Sequence, residues 1–205
     1  MTMNSTYLLS VIALTFFVIG CTPTNNQNTN NLSYSDSLNI VRKKINKEYK
    51  NNSNSPILDT ERERFTGLKH FPASESWKVK SEVILFDTLS IVKMATSKGK
   101  LRDMIPFAKL KFRINDEIHE LTGYSEVNSL SQELFIPFYD ATNGIETYSG
   151  GRYVDAHLNN NDSIFIDFNN TYNPYCHYNH NYSCPIPPIE NALDIKVTAG
   201  EKLLY

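Results

Sequence analysis

The chain has 205 residues, 40% of them hydrophobic and 20% charged, with 20 basic against 22 acidic side chains and a net charge of −2. That length supports one domain with a proper core once a leader is set aside, and the near balance of charge excludes an electrostatic nucleic-acid binder. Residues 137–205 nevertheless hold eight acids against three bases, which favours a cation or a polar neutral ligand over an anion there.

Residues 7–20 (YLLSVIALTFFVIG) are an apolar run of 14 residues, shorter than the ~20 that a membrane-crossing helix needs. They read as the core of an export signal over residues 1–20. The run ends in Val18-Ile19-Gly20-Cys21, which resembles a bacterial lipobox, so Cys21 is the expected lipidation site, carrying palmitate and diacylglycerol. Residues 1–6 lack Lys and Arg, a departure from the usual basic start. Acyl chains on Cys21 would anchor the protein to a membrane, and Thr22 in place of a retention Asp favours the outer membrane. Residues 21–35 are Asn/Thr-rich, nearly free of apolar side chains, and read as a flexible tether. The folded domain is expected over 36–205.

Residues 36–49 read as a helix capped by Asp36, with Leu38, Val41, Ile45 and Tyr49 as one apolar stripe. Arg42, Lys43, Lys44 and Lys47 lie on the opposite, solvated face. A charged helical turn over 59–64 follows, then an apolar knot of Phe65, Leu68 and Phe71 between Gly67 and Pro72. His70 beside it reads as a packed histidine.

From Trp77 the period switches to two. Strands are expected near 77–86, 89–94, 107–114, 118–124, 134–138, 152–158, 163–168 and 193–198, with Asn115-Asp116-Glu117 as a hairpin turn. The expected class is mainly β (α+β), an antiparallel sandwich or partly open barrel preceded by one or two N-terminal helices. There is no repeat, heptad or βαβ alternation, and no phosphate loop, dinucleotide fingerprint, G-x-S-x-G or H-E-x-x-H motif.

Candidate site residues concentrate between Phe138 and Asn191. Arg152 and Asp155 stand three apart on a strand, so they take opposite faces, and Arg152 needs another carboxylate such as Asp140, Asp167 or Glu190. Its pairing reads as either a structural fork joining two loops or a ligand contact. Asp167 and Asn169 share a face at a strand end and lead into Tyr172-Asn173-Pro174, where the proline stiffens the turn. Glu190-Asn191 follows the stiff Pro185-Ile-Pro-Pro188 segment, and Glu190 reads equally as an acid–base group or a backbone cap. Cys176 and Cys184 are the pair left once Cys21 is lipidated, and an exported protein meets an oxidising compartment, so a disulfide is expected. A metal set of Cys176, His177, His180 and Cys184, or a reactive thiol pair, are the alternatives.

Several stretches together resemble a bacterial family of unknown function, domain 1684. They are Phe65-x-Gly-Leu-x-x-Phe-Pro72, Pro137-Phe-x-Asp-x-Thr-x-Gly-x-x-Thr-Tyr-x-Gly-Gly-Arg-Tyr-x-Asp155, Asp167-Phe-Asn-x-x-Tyr-Asn-Pro-x-Cys176, Cys184-Pro-x-Pro-Pro-x-Glu-Asn191 and Ala199-Gly-Glu-Lys202. The resemblance spans about residues 36–202. It implies membership and no activity. It also implies cysteines at 176 and 184 without histidines at 177 and 180, which disfavours the metal set, and no metal or other cofactor is expected. Ser149, Thr171 and Tyr175 depart from the family's usual residues.

Three functions compete. The first is a monomeric, lipid-anchored envelope protein that binds a small polar or carbohydrate-like ligand through Asp140, Arg152, Asp167, Asn169, Tyr172, Asn173, Glu190 and Asn191. The second is a hydrolase using Asp167 and Glu190 as acid and base. The third is a structural or interaction lipoprotein.

Overall fold

The structure is a computed structural model that describes residues 32–204 apart from 128, 130, 160 and 161. The expected signal, Cys21 and the tether as far as residue 31 lie outside the described residues.

The first helix, α1 (Tyr34–Asn51), runs past the expected segment at both ends. Ser33, not Asp36, is its cap: Ser33 Oγ accepts the Asp36 N–H at 3.1 Å and donates to the Asp36 carboxylate at 2.6 Å. Asp36 thus sits in the first turn, where the helix dipole favours an acid. Leu38 is buried, and Ile45 and Tyr49 pack on Ile57, Phe65, Leu68 and Leu204. Arg42 does not join the solvated lysines. Its long stem carries the guanidinium to the carbonyls of Phe71 and Asn169, each at 3.2 Å. A short α2 (Asp59–Arg62) follows.

The strands are β1 (Lys78–Leu85), β2 (Val92–Ala95), β3 (Leu101–Ile114), β4 (Glu117–Glu126), β5 (Glu133–Asp140), β6 (Arg152–His157), β7 (Ser163–Asp167) and β8 (Ala192–Leu193). They form one mostly antiparallel sheet in the order β6-β5-β4-β3-β1-β7, with β2 on β3 and β8 parallel to β5. The two ends of that order, β6 and β7, lie against each other, so the sheet curls into a nearly closed barrel. Asn115 and Asp116 take φ of 49° and 65°, the left-handed pair that a two-residue hairpin turn needs between β3 and β4.

Alternation sends Leu110, Leu121, Leu134, Ile136, Phe138, Val154, Ile164 and Ile166 into the barrel, each at most 2% exposed. A bulge between Pro106 and Ala108 interrupts this parity in β3. The extra residue turns Met104 to the outer face, where it packs with Met94, Tyr124 and Phe135.

The expected last strand, 193–198, shortens to the two residues of β8. Beyond it no regular ladder continues: Ile195 O accepts Ala141 N at 2.9 Å, and the next groups bond largely to side chains. Val197 N donates to Asp140 Oδ1 at 3.2 Å, and the carbonyls of Val197 and Ala199 accept from Arg152 at 2.8 and 2.6 Å.

Candidate functional site

The barrel interior is filled by side chains, so space for a ligand lies on the outer face. The parity that buries Leu134, Val154 and Ala156 turns Phe135, Tyr153 and Asp155 outward. A C-terminal segment straps across this face. Tyr153 and Tyr172 exchange two backbone hydrogen bonds of 2.9 Å, and Tyr153 Oη donates to Pro185 O at 2.5 Å. The strap is also tied to β2, because Ile186 N donates to Ala95 O at 2.8 Å. Between strap and sheet lies a cavity of about 550 Å³ whose aromatic walls are Tyr124, Phe135, Tyr153, Tyr172, Tyr175 and Tyr182.

Three carboxylates also border this cavity. Glu126 is held by Arg102. Among the described residues, neither Glu133 nor Asp155 has an ion-pair partner. Tyr172 Oη donates to Asp155 Oδ2 at 2.9 Å. Asp155 is exposed as a residue, and partial desolvation of its carboxyl against the cavity wall raises it above its ordinary range; the charge of Glu133 adds to this, while the Tyr172 bond opposes both. The same desolvation, with the adjacent Asp155, pushes the Tyr172 phenol far up, so it stays a donor. Phe135 and Tyr153 meet edge to face at 4.7 Å between ring centres, which stiffens the floor. The arrangement offers flat apolar faces beside acceptors that take hydroxyl or ammonium protons.

A second cavity of about 510 Å³ lies under α1, bordered by Arg42, Tyr49, His70 and Thr171 among others. It shares Asp155, Tyr172 and Tyr175 with the first. Burial lowers the His70 imidazole to about 4, with the Arg42 charge adding to the effect, so the ring is neutral near pH 7.

The eight residues expected to form one site are not gathered in one place. Arg152 is 0% exposed and donates to Asp140 Oδ2 at 2.7 Å and to the carbonyls of Val197, Ala199 and Glu201. Asp140 also accepts the amide and hydroxyl of Thr142 at 2.8 and 2.5 Å. Asn191 clips its turn to β4 and β5 through Thr122 N, Thr122 O and Pro137 O. Asn173 donates from its amide to Glu201 and from its side chain to Lys202 O. Asn169 exchanges two bonds with the Ser74 backbone, and Asp167 accepts Tyr34 Oη on both oxygens, at 2.8 and 2.7 Å. Glu190 is exposed and accepts from Tyr124 Oη at 3.4 Å. Of the eight, Tyr172 alone lines the first cavity, and Asn169 joins it at the second. Asp167 and Glu190, the expected acid–base pair, share neither.

Cys176 and Cys184 are buried free thiols, and Cys176 N donates to Cys184 Sγ at 3.1 Å. They are neighbours without a bond between them. Hydrogen bonding with the Cys184 side chain lowers the Cys176 thiol, and the same bond, together with burial, raises Cys184. His177 lies against Tyr148, with ring centres 4.8 Å apart.

Sequence reasoning missed Phe135, Tyr153, Asp155 and Glu133 as cavity residues. A signal was present in β5 and β6. If the inward parity belongs to Leu134, Ile136, Val154 and Ala156, the outward positions of a solvated face should be polar, yet they include Phe135, Tyr139 and Tyr153.

Residues 63–202 match the family described as "Protein of unknown function (DUF1684)". The chain belongs to that family. The solution structure of an uncharacterised protein from Haloarcula marismortui is similar to it, with 34% identity and a TM-score of 0.66 over 81% of this chain and 92% of that one. No curated protein matches the chain. The family's matched span takes in the whole barrel and the strap that closes the first cavity.

Proposed function

We propose that the protein is exported, lipid-anchored in the bacterial envelope through Cys21, and binds a small polar, carbohydrate-like ligand in the cavity between sheet and strap. One observation carries the binding reading: six aromatic side chains and the carboxylates of Asp155 and Glu133 border a single space of about 550 Å³. That volume lies within the roughly 300–1,000 Å³ of small-molecule sites. Sugar rings pair an apolar face with peripheral hydroxyls, which suits Tyr faces beside carboxylate acceptors. The anchoring rests on the apolar run at 7–20 and on Val18-Ile19-Gly20-Cys21.

Titrating N-acetylglucosamine into labelled protein should shift the amide resonances of Tyr153, Asp155 and Tyr172, and Asp155→Ala should abolish the shifts. Shifts confined to other surfaces would refute the site. Labelling with a radioactive fatty acid should mark the wild-type chain and not Cys21→Ala, and equal labelling would refute the anchor.

A second reading keeps the same cavity but makes it hydrolytic. The raised Asp155 carboxyl would serve as acid and Glu133 as base. Turnover of aryl glycosides that disappears in both Asp155→Asn and Glu133→Gln is its test.

In the oxidising envelope, Cys176 and Cys184 join as a disulfide in this reading, through exchange with a disulfide donor that leaves as a dithiol. Closing so short a loop stabilises by about 2.5 kcal/mol in the chain-entropy model. Two thiols titrating in unreduced, denatured protein taken from the envelope would overturn this.

A further inference from the structure

The second cavity is not absorbed by that reading, and its relation to the first is specific. The two share Asp155, Tyr172 and Tyr175, with the Tyr172–Asp155 hydrogen bond of 2.9 Å at their common boundary. Aromatic rings run from one into the other. Tyr182 in the first cavity meets Tyr175 at 5.3 Å, and Tyr175 meets Tyr49 of the second at 6.3 Å. Tyr153 meets Tyr172 at 5.7 Å along the opposite side.

The second space has polar chemistry of its own. Arg42 is committed to two carbonyls and to no carboxylate among the described residues. Thr171, 1% exposed, carries a hydroxyl without a hydrogen-bond partner, and Arg42 Nε lacks one too. The charges here are Arg42 against Glu48, Asp155 and Glu201, with His70 neutral. Over both spaces Arg42 and Arg102 face Glu48, Glu126, Glu133, Asp155 and Glu201, so the lining is net acidic and disfavours an anion. Each cavity alone meets the roughly 300 Å³ at which small-molecule sites begin, so together they exceed what one sugar ring fills.

We infer that the two cavities form one track for an extended, neutral, ring-containing polar chain, an oligosaccharide in chemical class, with the Tyr172–Asp155 pair as its narrowing. The inference rests on the reading of the first cavity as a polar-ligand site. Rings stack along the tyrosines, and the acids bordering the two spaces accept hydroxyl protons on either side of the narrowing.

Calorimetric titration of the full chain in detergent with N-acetylglucosamine and its β-1,4-linked dimer, trimer and tetramer tests this. The tetramer should bind at least about tenfold tighter than the monomer, equivalent to about 1.4 kcal/mol. Val41 is 48% exposed on α1 and borders the second cavity, so Val41→Trp fills that space from a position outside the core. In that variant the tetramer-to-monomer ratio should fall to about one, with an unchanged melting temperature showing that the fold holds. Monomer binding with no gain on lengthening in the wild type would overturn the track and leave the first cavity's reading standing. A ratio that survives Val41→Trp would also overturn the track. Failure of every probe to bind would overturn both readings together.

Discussion

Replacing Asp140 by Ala tests whether the Arg152 cluster holds the fold together or faces a ligand. Both side chains are fully buried, and their contact of 2.7 Å is the one carboxylate contact of the guanidinium among the described residues. Burial depresses the Arg152 pKa, and Asp140 is the largest opposing influence. Without Asp140 the cation would keep three neutral carbonyls as partners in a space that water does not reach. Breaking a buried pair from one side costs about 3–5 kcal/mol, and the Thr142 and Val197 amides lose their acceptor as well. At roughly 2–4 °C per kcal/mol for a domain of this size, the melting temperature should fall by about 6–20 °C. Urea unfolding followed by circular dichroism measures the loss. The double variant Asp140→Ala with Arg152→Met should recover part of it, because no unpaired charge then remains. A loss under about 1 kcal/mol, or abolished probe binding at unchanged stability, would refute the structural role.

Glu201 predicts a pH signature. Burial raises its carboxyl to about 7, against the Tyr178 and Asn173 hydrogen bonds and the Arg152 charge. The unfolded chain releases this proton near the ordinary 4.5, so between those values the folded state binds more protons and stability falls as pH rises, by about 3 kcal/mol in all. His70 and His177, both lowered to about 4 by burial, act with the opposite sign, losing stability as pH falls below 6.5. The stability of wild type minus that of Glu201→Gln should therefore decline from pH 4.5 to 7, and a flat or rising difference contradicts the assignment. Gly200 has φ of 75°, and a Cβ there would lie 2.5 Å from Thr171 Cβ and 2.6 Å from Thr171 O. Gly200→Ala should cost at least about 2 kcal/mol in denaturant titration. A change below about 0.5 kcal/mol would mean that the 168–171 turn yields freely.

The parts of this fold that could be read in the sequence are those governed by local periodicity. The period of two announced the strands and the Asn115–Glu117 hairpin between β3 and β4, and the opposed faces of Arg152 and Asp155 followed from the same count. The run 193–198 showed a similar pattern but formed a ladder at Ala192–Leu193 alone, because its groups meet Arg152 and Asp140 in place of a neighbouring strand. That exchange explains the dispersal of the eight candidate site residues. The C-terminal third is irregular, and buried backbone without a ladder must find side-chain partners. Asn169 serves Ser74, Asn173 serves Lys202, Asn191 serves Thr122 and Pro137, and Arg152 serves three carbonyls. A density of Asp, Asn and Arg in such a segment is thus a signature of backbone satisfaction as much as of a ligand site. Aromatic rings have no such duty, although the Tyr153 hydroxyl does serve Pro185 O. Their presence at outward strand positions and along the strap, from Phe135 and Tyr153 to Tyr175 and Tyr182, is what separates the cavity wall from the scaffold behind it.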